Sequence, residues 1–332
     1  MEMRFVADHL NFPGGVLAVA GGDVIVAEVC GGTLVRIRAD GTRSVFAEVG
    51  GAPTALAFGP DGAIYVCNNG TPKIVREKLP DGRTAYRPPN PGEGPKGIGG
   101  QIQRVTMDGK VSTVHRECDA RPLMAPAGLV FDREGNFYFS DIGHHEGPVR
   151  DPGVSTESKH LSVLRMAGAM ARNAAGSIYY ASPDGRMIKE VLHPLVSPNG
   201  VALSPDETTL YVGESGTGRL WAYQLVAPGK VGKRRCLGVA PGRRPLNFSW
   251  CEGLAVDAEA DVLTATVVNG GITTFSSQGL QVEHVSTGDP LTTNMCFGGA
   301  DRRTLFVTLG GSGRLVAYDA WPTRGHQLNF AP

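Results

Sequence analysis

The sequence predicts an all-β fold, a six-bladed β-propeller with long loops over one face, and three observations carry that prediction. A unit of short apolar strand, Pro-Asp or Asp-Gly turn, second strand, Gly turn and third strand recurs along the chain, clearest at 197–221. Six such starts in 332 residues give about 55 residues per unit, near the roughly 40 to 50 of a four-stranded blade plus insertions. With 46 Gly, 23 Pro and only 19% charged residues, the composition suits tight turns between short strands, not a helical or disordered chain.

Each unit is legible in order. The first opens at Pro13, turns at Gly21, Gly22 and Asp23, rises through 24–28, and returns through 33–37 after Gly31 and Gly32. The second opens at Pro53 and turns at Pro60, Asp61 and Gly62. The third opens at Pro126, turns at Glu134 and Gly135, and rises through 137–141. Pro198, Cys251 and Thr293 open the fourth, fifth and sixth. In every case β-branched and aromatic residues alternate with small ones between Gly-containing turns. Strands at 305–308 and 315–318 continue the sixth unit, and 4–7 is expected to add its outer strand and close the ring. The whole chain, 1–332, reads as one domain.

Two insertions break the period, one over 68–100 and one from 143 to about 162. Both leave the end of a second strand. Second-to-third-strand loops share a face with the starts of the inner strands, so both insertions are expected to overhang that face as lids or binding segments.

Composition removes several function classes. A formal net charge of zero gives no footprint for nucleic acid or an acidic membrane. No stretch nears the roughly 20 apolar residues of a membrane span, and no leader pattern opens the chain, so a cytoplasmic protein is expected. The six cysteines (Cys30, Cys67, Cys118, Cys236, Cys251, Cys296) form no CxxC pair, which argues against zinc-knuckle or redox chemistry and against disulfides. There is no GxSxG elbow, P-loop or GxGxxG after a strand.

At the start of each inner strand one residue points toward the ring's axis: Gly14, Thr54, Ala127, Asn199, Glu252 and Asn294. One carboxylate and two amides make an all-oxygen set of the kind hard cations such as calcium prefer. The alternative, that each polar residue serves a neighbouring loop, stays open at this point. His144 and His145 lie on the second insertion, where a neutral imidazole would serve as general base, or where both are simply solvated. Asp141, just before that loop, either caps the strand end or reaches the site. Thr54, Asn68, Asn69 and Asn294 are candidates for substrate contact, although Asn68 and Asn69 also read as a turn. Cys67 and Cys251 adjoin the same face, without a histidine at a spacing that would support a thiol nucleophile.

The stretch PNGVALSPDETTLYVGESGTGRLWAYQL, starting at Pro198, closely resembles the senescence-marker-protein/gluconolactonase/luciferin-regenerating (regucalcin-like) family, and the resemblance extends over nearly the whole chain. It implies a six-bladed propeller and a divalent-metal-dependent lactonase. The family's metal is typically held by a Glu in blade one, the Asn of the PNG stretch and an Asp in blade five, with an Asn from blade three on the substrate. Asn199 matches the PNG asparagine and Glu252 stands at the Asp position, but Gly14 and Ala127 occupy the other two. Glu28, at the end of blade one's second strand, is the nearest substitute acid. The expected metal set is therefore Asn199, Glu252 and Glu28, with calcium first and zinc, manganese or magnesium as alternatives.

These observations lead to a metal-dependent hydrolase opening a lactone or related cyclic ester at the central tunnel, with Glu252, His144 and His145 as catalytic candidates. The substrate is expected to be medium-sized and partly apolar, and the protein a monomer or small homo-oligomer. Two alternatives remain. One is a metal-poor, Glu-centred isomerase or cyclase of strictosidine-synthase-like type, with Gly14 and Ala127 enlarging the cavity; this is fold-level analogy. The other is a propeller that binds a small molecule without chemistry.

Overall fold

The computed structural model describes residues 1–332 except 73, 79–83, 88–95, 144–174, 243–246, 248 and 280–281. Among the described residues are six four-stranded antiparallel sheets, one per expected blade. Their inner strands are Pro13–Ala18, Pro53–Phe58, Pro126–Phe131, Pro198–Leu203, Trp250–Val256 and Thr292–Gly298. The N-terminal strand Arg4–Ala7 pairs with Arg314–Tyr318, in register Arg4 to Ala317, and so supplies the outer strand of blade 6. Both chain ends thus build one sheet, as the sequence predicts.

Period-two alternation explains the packing. In Ile64–Asn68, Ile64 and Val66 pack against blade 1, whereas Tyr65 and Cys67 pack against blade 3. In Phe137–Asp141, Phe137 and Phe139 face blade 2 and Tyr138 faces blade 4. Each sheet is apolar on both faces, and six buried clusters lie between neighbouring blades all round the ring, including blades 6 and 1. Hydroxyl groups add clasps at the inner edge. Thr54 Oγ1 donates to the carbonyls of Pro126 and Ala127 in blade 3, Ser140 to Asn199 O in blade 4, Ser215 to Cys251 O in blade 5 and Thr308 to Gly14 O in blade 1.

Both insertions differ in detail from the sequence expectation. The first contains a hairpin, Val75–Lys78 with Thr84–Arg87. The third strand of blade 3 begins only at Gly176, so the second insertion extends well beyond 162.

A second repeat lies in the turns between first and second strands, at the opposite end from the inner-strand starts. Each has a residue near its end in the left-handed region: Gly22, Gly62 and Gly135 in blades 1–3, but Glu207, Ala260 and Arg302 in blades 4–6. A residue with a Cβ pays about 1–2 kcal/mol for that conformation. The side chains of Glu207 and Arg302 are used. Asn329 Nδ2 donates to Glu207 Oε1 at 2.6 Å, Arg302 Nε donates to Gly325 O at 3.1 Å, and Arg302 Nη1 to Gln327. Both hold the C-terminal segment 324–332, which crosses from blade 6 past Val256 to Phe131, where Phe330 packs edge-on.

Candidate active site

The inner strands enclose a cavity of about 490 Å³ along the ring's axis. Near the strand starts it is lined by Asn199, Gly200, Gly253 and Asn294; farther along by apolar side chains including Leu56, Phe58, Leu129 and Leu254; and at the far end by Leu328 and Pro332 of the C-terminal segment.

Glu252 stands behind the strand-start end of this cavity, bonded to the wall residue Asn199 and next in sequence to the wall residue Gly253. Its Oε2 accepts from Asn199 Nδ2 at 2.7 Å and its Oε1 from Ser215 Oγ at 3.2 Å. Burial pushes the carboxyl up from its ordinary 4.5 to about 7, against the pull of the Ser215 and Asn199 hydrogen bonds. None of the ion pairs among the described residues involves Glu252. The arrangement is local in origin. Gly253 leaves room for Asn294, whose amide group would lie 2.2–2.8 Å from a Cβ at 253. The Asn294 Oδ1 accepts from the Met295 N–H at 2.8 Å, which fixes the amide beside the cavity. The structure thus brings Asn199, Glu252 and Asn294 together, and adds Ser215, which the sequence did not single out.

Other expectations are corrected. Glu28 is not a substitute ligand on the axis: it accepts from Asn11 N at 2.9 Å and Thr33 Oγ1 at 2.7 Å, and does not line the cavity. Asn68 is fully buried and has no hydrogen-bonding capacity left for a substrate. Its Oδ1 accepts from Ala52 N and Gly70 N, and its Nδ2 donates to Gly50 O and Gln103 Oε1. Asp141 is a cap, accepting from the N–H groups of Met124, Ala125 and Gly143. Glu214 does the same for Val196 N, Thr217 Oγ1 and Trp221 Nε1. These four residues occupy one position of the repeat, the end of the second strand in blades 1–4, where each fastens the loop leading into its own inner strand. Thr54 spends its hydroxyl on the carbonyls of Cys67, Pro126 and Ala127, each at 3.1 Å, and does not face the cavity. Asn69 lies off the cavity too, with a buried Oδ1 that has no hydrogen-bond partner among the described residues. His144 and His145 lie outside the described residues. The Cys67 and Cys251 thiols are pushed up by burial, Cys251 to about 12, which leaves neither as a nucleophile.

The donor set does not fit the expected divalent metal. Gly14 supplies no ligand, and a Cβ there would lie 2.8 Å from Val29 Cγ2 and 3.2 Å from Thr54 O; the space is filled by neighbours, so Gly14 does not enlarge the cavity either. Ala127 supplies no ligand, Glu28 is engaged elsewhere, and the oxygens of Glu252 already accept hydrogen bonds. Among the described residues no three His, Cys, Asp or Glu side chains converge. One carboxylate whose own proton affinity is raised is a poor host for calcium, which takes six to eight oxygens.

A family model described as the SMP-30/Gluconolactonase/LRE-like region matches residues 12–311. Among curated proteins, the chain is 25% identical over 278 residues to lactonase drp35 of Staphylococcus saprophyticus, covering 80% of this chain and 66% of that one. It is 27% identical over 264 residues to a gluconolactonase of Zymomonas mobilis, covering 76% and 59%. The matches therefore span less than two thirds of these relatives. Among solved structures, a calcium-binding protein, regucalcin, from Agrobacterium tumefaciens superposes with a TM-score of 0.71 at 16% identity, covering 100% of this chain and 97% of that one. At that identity the likeness is one of fold.

Proposed function

Because the chain belongs to the SMP-30/gluconolactonase/LRE-like family, we propose that it opens a lactone or related cyclic ester at the strand-start mouth of the central cavity, with Glu252 moving the proton. One observation carries the assignment of Glu252: it is a carboxyl directly behind the cavity wall, bonded among the described residues to a neutral amide and a hydroxyl alone, whose proton affinity burial raises to about 7. A base of that strength is half ionised at neutral pH and re-protonates readily, as general acid–base catalysis requires. The ionised carboxyl takes a proton from a water as its oxygen bonds to the ester carbonyl carbon. When the ring C–O bond breaks, the same proton passes to the departing alkoxide, leaving a hydroxy acid. Asn199 and Asn294, both on the cavity wall, are the donors available to the carbonyl oxygen as it gains charge.

A second reading is favoured by the same isolated carboxyl: Glu252 removes a proton from carbon beside the carbonyl, giving isomerisation or cyclisation without water. Incubation with γ- and δ-lactones in ¹⁸O-water separates the two, since hydrolysis places the label in the product carboxylate. The expected result is labelled hydroxy acid from the wild type and a loss of about 10²–10⁴-fold in Glu252→Gln. Turnover unaffected by that substitution rules out Glu252. Ligand binding without turnover makes the protein a binding propeller.

A further inference from the structure

The far end of the central cavity is not open backbone. Segment 324–332 lies across it, with His326, Gln327, Leu328, Asn329, Ala331 and Pro332 on the cavity side. Its fastenings are specific. His326 N donates to Val256 O at 2.9 Å, Asn329 Nδ2 donates to Phe131 O at 3.2 Å and to Glu207 Oε1, and Arg302 Nε donates to Gly325 O. Two of the clamping side chains, Glu207 and Arg302, stand in left-handed turn positions that blades 1–3 fill with glycine. Strained residues retained where the fold's own repeat offers an unstrained solution point to a use for their side chains. Here Arg302 spends its side chain on the strap, and Glu207 divides its carboxylate between Asn329 of the strap and Arg133.

We infer that the strap makes the central cavity a blind chamber for the apolar substituent of a cyclic ester, and that Leu328 and Pro332 set the longest substituent accepted. The identity of the reactive ring rests on the proposed cyclic-ester chemistry; the chamber itself does not. The polar wall residues Asn199, backed by Glu252, and Asn294 gather at one end, and the walls beyond are largely aliphatic and aromatic. Of the strap's polar side chains, Asn329 is spent on Glu207 and Phe131 O and Gln327 on Arg302, while the half-buried His326 lines the cavity. The floor offered to a ligand is thus Leu328, Ala331 and Pro332, with His326 and Arg302 at its edge. A volume of about 490 Å³ suits one small molecule, and inner strands of six or seven residues make the chamber roughly 20 Å deep. The strap lies outside residues 12–311, which the family model matches.

The test uses 2-alkylcyclopentanones, which keep the ring and carbonyl but cannot be hydrolysed, titrated calorimetrically into the full chain. Affinity is expected to rise about two- to fourfold per added methylene, the upper figure matching ~0.8 kcal/mol per buried CH₂, and then to fall beyond a limiting length. Leu328→Trp moves that limit to shorter chains. The double variant Glu207→Gly/Arg302→Gly keeps both turns in the form blades 1–3 use, releases the strap, and moves the limit to longer chains. Affinity indifferent to chain length, or a limit that neither variant moves, overturns the chamber. Ketones that obey the limit while no lactone is opened leave the chamber standing and remove the proposed chemistry. Lactones opened with a KM independent of alkyl length do the reverse.

Discussion

Replacing Glu252 by Gln tests the central carboxyl without changing its shape. The glutamine amide can still accept from Asn199 and meet Ser215, so packing is kept and only the titration is lost. Glu252 has a native value of about 7 against an ordinary 4.5. A raised native value means that the folded state holds the proton more tightly than the unfolded chain. The associated stability is fully present below about pH 4.5 and is lost as pH rises through about 7. At about 1.4 kcal/mol per tenfold change in proton affinity, the whole effect is roughly 3.4 kcal/mol, of which about 2.5 falls between about pH 5 and pH 8.5. Urea unfolding of wild type and Glu252→Gln at those two pH values isolates it, because every other titrating group is common to both. The variant is expected to gain about 2.5 kcal/mol on the wild type as pH is raised. Curves that stay parallel within about 0.5 kcal/mol would refute the reasoning, since Glu252 would then titrate as an ordinary surface carboxyl and have no claim to act near neutral pH.

Ser215→Ala removes a donor that pulls the Glu252 value down, so the rise of kcat/KM with pH is expected to shift to higher pH; a shift the other way would mean that Ser215 accepts from the neutral carboxyl. Glu28→Ala strands the Asn11 N–H and the Thr33 hydroxyl and is expected to cost about 1–3 kcal/mol in chemical unfolding, while kcat/KM stays within about twofold. Dialysis against EDTA is expected to leave lactone opening unchanged, and a loss restored by calcium would count against the donor-set argument.

The ring was legible because its cues are local. Pro13, Pro53, Pro126 and Pro198 each open an inner strand, and the turns at Gly22, Gly62 and Gly135 need a residue that accepts positive φ. What escaped was whatever depends on comparing repeats or on distant contact. Glu28 and Asn68, taken singly, resemble site residues; aligned with Asp141 and Glu214 at the ends of second strands, they are one structural device in four copies, and the signal was present in the repeat itself. The strap has no period, and its fastenings join residues 122 and 198 positions apart. Its only trace in the sequence is the absence of glycine at 207, 260 and 302. Nor does any pattern announce that Val29 fills the space beside Gly14.

That comparison also isolates Glu252. Glu28 and Glu214 each accept hydrogen bonds from a backbone N–H and from side chains, and Asp141 from three backbone N–H groups, as suits acids that fasten loops. Among the described residues Glu252 fastens no backbone N–H; it meets the Asn199 amide and a Ser215 hydroxyl that also serves Cys251 O at 2.8 Å. A buried carboxyl left without a compensating charge costs stability once ionised, and an isosteric neutral residue would relieve that cost. Its retention directly behind the cavity wall, bonded to Asn199, therefore favours a chemical role over a structural one. The missing metal ligands and the raised proton affinity then have one cause. A cation beside Glu252 would favour the ionised carboxyl, drawing it back toward the ordinary carboxylate range and weakening it as a base. With glycine at 14 and alanine at 127, no second charge is supplied at those positions, and the same lack that makes the site a poor host for a metal makes Glu252 a base suited to neutral pH.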